Sequence, residues 1–288
     1  MEFSKSNILQ EYENYLVVKH FAQETKRMYL SEANKLLEYI DDLSSISLEV
    51  ITAYMYQYGG CTKATRNSHA SSLRVFLKYL HVNSYIDAEP RIPYIKEERK
   101  LPRILSPEEL IKRFNITKKR AIAFDDWQLK RNYALLMLMY ATGMRIGEVM
   151  QFSMANIDKN WIRVENGKGG KDRYVPVADE ALKALDDYIY SCPFSFQKSF
   201  FVDDTGKPMD KTFAREIVRK SVGLLPHDLR HHFATHLIMN KCDVSIVSEF
   251  LGHSSLQTTQ IYTHIQNPQL QQTVIECHPM AEGKIYAI

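Results

Sequence analysis

Residues 226–236 read Pro-His-Asp-Leu-Arg-His-His-Phe-Ala-Thr-His, followed by Leu251-Gly252-His253 and, nine residues after that histidine, by Tyr262. His227 and Arg230 are three apart, so a helix carries both on one face, about one turn from each other. Pro226 suits the first helical position and Asp228 the first turn, where an acidic side chain meets the positive end of the helix dipole. Gly252 can end a helix just ahead of His253, and Tyr262 falls about two turns into the next helical stretch. Consecutive short helices thus offer two imidazoles, a guanidinium and a phenol. Such a set suits an anionic phosphate diester and a nucleophile that must lose a proton.

The chain around this stretch is long enough for two domains: 288 residues, 45% of them apolar. Net charge is only +3, but Lys and Arg cluster in Lys96–Arg103, Lys112–Arg120 and Lys168–Arg173. Local basic runs fit nucleic acid, and they also fit an ordinary soluble protein. The four cysteines, at 61, 192, 242 and 277, have neither metal-site spacing nor the density of a disulfide scaffold. They read as buried thiols in a reducing compartment. The start is polar, without a signal-peptide pattern, and the longest apolar run, Ala134–Ala141, is far too short to span a membrane. A cytoplasmic protein is expected.

Residues 1–87 read as four helices with no strand pattern. Ile8, Tyr12, Tyr15 and Leu16 recur at helical spacing, as do Tyr29, Leu36, Leu37 and Ile40. Ser47 starts a third helix that stops at Gly59-Gly60, and a fourth runs from Thr62 or Lys63 to His81, carrying Arg66, Arg74 and Lys78. Four prolines between Ala88 and Pro107 then disfavour helix, so 88–105 reads as an extended linker. The second domain, 106–277, opens on the capping sequence Ser106-Pro-Glu-Glu109. A strongly apolar helix follows from Asp126 to about Tyr140 and ends at Thr142-Gly143, with a short helix starting at Arg145. The period then switches to two: Trp161–Val164 and Arg173–Val177 alternate as strands around a tip at Asn166–Lys171. Helices are expected at 179–190, 210–221, 227–240, 243–250, 255–265 and 267–275, with Phe200–Val202 as a short third strand and 278–288 as an irregular tail. The fold class is mainly α: a four-helix domain, then a mixed α+β domain with a small antiparallel sheet.

Two other chemistries fail on spacing. Gly167–Lys171 is not a phosphate-cradling P-loop, because it joins two strands and lacks GxxxxGK[ST]. His227/His231 and His232/His236 have the i, i+4 spacing of zinc helices, but neither pair has Glu after its first His. No metal is assigned.

Five short motifs occur in order: Ala-Thr-Gly-Met-Arg at 141–145, Gly-Lys-Gly-Gly-Lys at 167–171, His-Asp-Leu-Arg-His at 227–231, Leu-Gly-His at 251–253 and Thr-Thr-Gln-Ile-Tyr-Thr-His at 258–264. Together they resemble the tyrosine recombinase (phage integrase) family, most closely its Xer-type site-specific recombinases, and the resemblance covers essentially the whole chain. It implies an N-terminal SAM-like core-binding domain and a C-terminal catalytic domain of the tyrosine recombinase fold. It implies two catalytic arginines at Arg145 and Arg230, a lysine at Lys168, histidines at His227 and His253, and the nucleophile at Tyr262. Glu148 matches a supporting acidic position and His231 a recurrent neighbour. Arg66, Arg74, Lys78, Lys171 and Arg173 are candidate DNA contacts.

The chemistry of these groups agrees with that assignment. Attack on a phosphodiester gathers negative charge on its non-bridging oxygens, which two arginine forks can hold bidentately. A phenol with a pKa near 10 needs a cationic site and a proton acceptor, for which His227 is the candidate. A lysine on a hairpin tip can protonate the leaving 5′ oxygen, and His253 can hydrogen-bond the phosphate. The resemblance implies duplex DNA as partner, a homotetramer on two sites or a paralogous recombinase as co-worker, a Holliday junction, and no metal, ATP or other cofactor. Its biological expectations are chromosome or plasmid dimer resolution, or alternatively mobile-element integration and excision. A relaxing type IB topoisomerase, a catalytically silent DNA-binding accessory factor and a metal-dependent nuclease are the rivals.

Overall fold

The structure is a computed structural model that describes residues 4–96, 104–165, 172–196, 199–252 and 277–278. It divides into two compact units, Met1–Leu101 and Pro102–Ile288.

The first unit holds helices α1 (Lys5–Val18), α2 (Gln23–Tyr39), α3 (Leu48–Tyr56) and α4 (Lys63–Val82), as expected from the sequence. The Ser47 and Thr62 hydroxyls accept from the Val50 and Thr65 amides at 3.3 and 3.2 Å, satisfying first-turn N–H groups that the helices themselves cannot pair. Tyr12, Leu16, Leu36, Leu37, Phe76, Leu77 and Leu80 form the buried core. One carboxylate enters it. Glu32, 2% exposed, accepts from the Tyr54 hydroxyl at 3.0 Å, the Tyr58 hydroxyl at 3.1 Å and His69 Nδ1 at 2.7 Å. The stretch expected as a linker begins on this unit. Arg74 donates Nε and Nη2 to the Ile92 carbonyl, both at 3.0 Å, and Asn67 pairs with Ile95 through its side-chain oxygen (2.9 Å) and its Nδ2 (2.8 Å). Backbone flanked by Pro90 and Pro93 has no ladder partner, and these α4 side chains satisfy it.

The second unit is built on α6 (Trp127–Thr142), whose residues from Tyr133 to Thr142 are all buried. Around it lie α5 (Pro107–Phe124), α8 (Asp179–Ser191), α9 (Lys211–Val222), α10 (Pro226–Met239) and α11 (Val244–Leu251), with a four-residue α7 (Ile146–Val149). The Ser106 hydroxyl caps α5 by accepting from the Glu109 amide at 3.2 Å, while the Glu109 carboxylate turns to Arg113. The sheet has the antiparallel order β1 (Ile157–Asp158), β2 (Trp161–Val164), β3 (Arg173–Pro176), with Ile162 opposite Val175. The third strand is therefore Ile157–Asp158, not Phe200–Val202. Phe200 and Phe201 are fully buried against Tyr188, and Val202 makes only an isolated bridge to Pro208. Two residues are too few to show a period, which is why β1 was not legible.

Leu105 is fastened to α10 at both backbone atoms. Its N–H donates to His232 Nε2 at 2.9 Å, and its carbonyl accepts from His236 Nε2 at 2.8 Å. Cys277 and His278 pack on the same unit: Asn240 Nδ2 donates to the Cys277 carbonyl at 2.6 Å, and His278 lies beside the Tyr140 and Phe233 rings. The hairpin tip and the helices expected at 255–265 and 267–275 lie outside the described residues. Among the described residues no helix is long and apolar enough to cross a membrane.

Candidate active site

Three helix ends converge on one arginine. Helix α6 stops at Gly143 and α11 at Gly252, both left-handed (φ +61°), a conformation that glycine adopts without the usual Cβ penalty. Helix α10 starts at Pro226, where the Asp228 carboxylate accepts from the Leu225 amide at 2.8 Å. This start places Arg230 one turn in, 5% exposed, with Nη1 donating to the Gly143 carbonyl at 2.6 Å and Nη2 donating to the Leu251 carbonyl. Its fork is thus oriented by the ends of two other helices.

Arg145 follows Gly143 by two residues and begins α7. Its amide donates to Glu148 Oε2 at 2.8 Å and its Nη1 to Glu148 Oε1 at 2.9 Å, leaving the side chain about a third exposed. Arg173, at the start of β3, meets the same carboxylate from the other side: Nη1 to Oε1 at 3.1 Å, Nη2 to Oε2 at 2.8 Å. Its Nε donates to the Phe250 carbonyl at 2.7 Å. Burial pushes the Glu148 carboxyl up, but the Arg173 hydrogen bonds and charge, followed by those of Arg145, hold it below the ordinary carboxylate value. Burial also drives Arg230 down to about 10, helped by the charges of Arg145 and Arg173. The site is cationic and remains so at neutral pH.

His227 is exposed in the first turn of α10, its ring 4.3 Å from that of His231 in an edge-on arrangement. Partial burial and the nearby His231, Arg230 and Arg145 charges hold its imidazole below the ordinary value. A neutral ring at pH 7 can accept a proton.

The structure therefore brings together Arg145, Glu148, His227, Arg230 and His231. Lys168, Lys171, His253 and Tyr262 lie outside the described residues. Of the residues expected on DNA, Lys78 is exposed, Arg66 is half-buried with its Nε lacking a hydrogen-bond partner, and Arg74 is engaged by Ile92. Arg173 points inward and is 8% exposed. The zinc-like spacing of His232 and His236 serves Leu105 instead. The acceptor carbonyls of Gly143, Phe250 and Leu251 were not foreseen. The two glycine stops were their only trace in the sequence, since a backbone carbonyl has no side-chain signature.

The sequence profile described as the phage integrase family matches residues 107–268, more than half of the chain. The chain is 34% identical to tyrosine recombinase XerC of Bacillus licheniformis over 78% of each protein, and 30% identical to tyrosine recombinase XerD of Staphylococcus saprophyticus over 95% of this chain and 99% of that one. Its fold is similar to that of lambda integrase in a tetramer bound to a Holliday junction (TM-score 0.68, 20% identity, 89% of this chain and 79% of that one). The family match and these relatives define a DNA strand-transfer enzyme. The chain belongs to the phage integrase family, the tyrosine recombinases, and is a site-specific recombinase.

Proposed function

We propose that this recombinase cuts and rejoins duplex DNA through a 3′-phosphotyrosyl intermediate on Tyr262. The observation that carries the reading is the Arg145–Arg230 pair, oriented before any substrate arrives by Glu148 and by the carbonyls of Gly143 and Leu251. Donors fixed in advance on the developing phosphorane charge stabilise the transition state without reorganising, and losing one such donor typically costs about 10²–10³ in rate. His227, held neutral, takes the phenolic proton as the Tyr262 oxygen attacks phosphorus. Lys168 protonates the leaving 5′ oxygen, and His253 hydrogen-bonds a non-bridging oxygen. The ester to Tyr262 keeps the bond energy for rejoining, so neither ATP nor metal enters the scheme. Domains 1–87 and 106–277 each contact duplex DNA, the former through Arg66 and Lys78, and the hairpin lysine Lys171 adds a phosphate contact. Strand exchange proceeds in a homotetramer, or with a paralogous recombinase, through a Holliday junction.

The biological role proposed is resolution of chromosome or plasmid dimers in the cytoplasm; the relatives named tyrosine recombinases XerC and XerD support site-specific recombination. Mobile-element integration uses the same chemistry, and the lambda integrase likeness carries the fold alone.

The test is a nicked duplex bearing a site selected from genomic fragments, incubated with protein and chelator and run on a denaturing gel. A covalent adduct is expected with wild type and none with Tyr262→Phe. An adduct persisting in Tyr262→Phe places the nucleophile elsewhere. No wild-type adduct on a tightly bound site favours an accessory DNA-binding protein.

A further inference from the structure

We infer that Arg173 is a positioning residue for strand cleavage, acting through Glu148 and the end of α11 rather than through DNA. The inference rests on the cleavage chemistry proposed above.

Three observations carry it. The Arg173 side chain is 8% exposed, and its fork is spent on Glu148 Oε1, Glu148 Oε2 and the Phe250 carbonyl. Glu148 is itself 8% exposed in its side chain and is shared between Arg173 and Arg145. The Phe250 carbonyl held by Arg173 adjoins the Leu251 carbonyl held by Arg230, so two arginines grip the last turn of α11 side by side.

The division of labour at Glu148 follows from charge. A buried carboxylate needs cationic partners in good geometry. With Arg173 supplying both Nη groups, Glu148 asks Arg145 for only one Nη1–H and its backbone amide. The rest of the Arg145 fork is then uncommitted among the described residues and can meet a phosphate. Without Arg173, the same carboxylate would draw the Arg145 fork onto itself, and the α11 end would keep Arg230 as its single guanidinium anchor. Arg173 thus sets the aim of Arg145 and holds the last turn of α11 through the Phe250 carbonyl. Misplacement of reacting groups by about 1 Å can cost about 10² in rate.

The experiment compares wild type, Arg173→Ala and Arg173→Lys on the nicked duplex. It measures equilibrium binding across salt, single-turnover cleavage at saturating protein with the amplitude of active protein, and hydrogen exchange without DNA. Arg173→Ala should leave the Kd within about threefold and the salt slope unchanged, lower the saturated rate about 10²-fold at full amplitude, and raise exchange in 146–149 and 244–252 together. Arg173→Lys, which can satisfy one acceptor group but not the paired oxygens, should recover part of that rate.

A weaker Kd, with the salt slope reduced by about one and the saturated rate intact, makes Arg173 a phosphate contact and overturns the inference. A loss confined to amplitude, with exchange raised throughout the unit, reduces Arg173 to a folding residue and also overturns it. If wild type forms no adduct, the cleavage reading itself fails. Hydrogen exchange then decides whether Arg173 couples α7 to α11, and unchanged exchange in either segment sinks it.

Discussion

The Tyr140 hydroxyl donates to Nδ1 of His236 across 2.7 Å, both side chains being fully buried. The donor assignment is forced, because His236 Nε2 already carries the proton given to the Leu105 carbonyl. His232, one turn earlier, has the opposite tautomer: its Nδ1–H donates to the Asp228 carbonyl at 2.6 Å and its Nε2 accepts from Leu105. The two rings thus carry their protons on opposite nitrogens.

This arrangement predicts a loss of stability in acid. Burial holds the folded-state pKa of His236 below its ordinary value of 6.5. The unfolded chain therefore binds more protons as pH falls below about 6.5, and stability present at neutral pH is lost in that window. Urea titrations at pH 7.5 and 5.5 should show the loss, and Tyr140→Phe, which strands Nδ1, should cost about 1–3 kcal/mol at pH 7.5. Equal stability at the two pH values would show that His236 is protonated as easily folded as unfolded.

Gly143 and Gly252 share φ +61° but differ in surroundings. A Cβ at Gly143 would lie 2.5 Å from Phe233 Cδ1, whereas one at Gly252 would meet Arg173 Cδ at 3.4 Å. Gly252→Ala should incur mainly the left-handed backbone cost of about 1–2 kcal/mol, and Gly143→Ala more. Thermal melts of the two variants give the order. A reversal would mean that Phe233 yields easily.

Glu32 joins three helices of the first unit through Tyr54, Tyr58 and His69. Glu32→Ala strands these partners and should cost about 1–3 kcal/mol, the range for leaving a buried hydrogen-bonding group unsatisfied. In the full chain, hydrogen exchange should rise in α2, α3 and α4 and leave 127–142 protected. Uniform exchange across both units would refute a local role.

Binding to duplex DNA should weaken steeply with salt, log Kd rising linearly with log salt at a slope of about 0.9 per phosphate neutralised. Lys78→Ala, an exposed side chain, should lower that slope by about one without altering sequence preference. A changed preference at constant slope would make Lys78 a base reader.

Much of this was legible in the sequence because local chemistry dictated it. Ser47, Thr62 and Ser106 cap the helices that their side chains announce, and Gly143 and Gly252 end the helices that stop there. His227 and Arg230 share a helix start because Pro226 fixes it. What was not legible depended on long-range partners. Arg74 and Arg173 look like solvent-facing cations in isolation. Their carbonyl acceptors at Ile92 and Phe250 lie 18 and 77 residues away. The buried run Phe200–Val202 resembled a strand because apolar content alone cannot separate a strand from packed aromatic coil.

Arg230 is gripped by two carbonyls while burial and two neighbouring guanidinium groups oppose its charge. This cationic cluster is therefore electrostatically frustrated, kept in place by the fold around it. An anion between Arg145 and Arg230 relieves that frustration, so occupancy and folding are thermodynamically linked. The recombinase should therefore melt at a higher temperature on DNA than off it, part of the binding free energy returning as cohesion of the helix ends that aim its arginines.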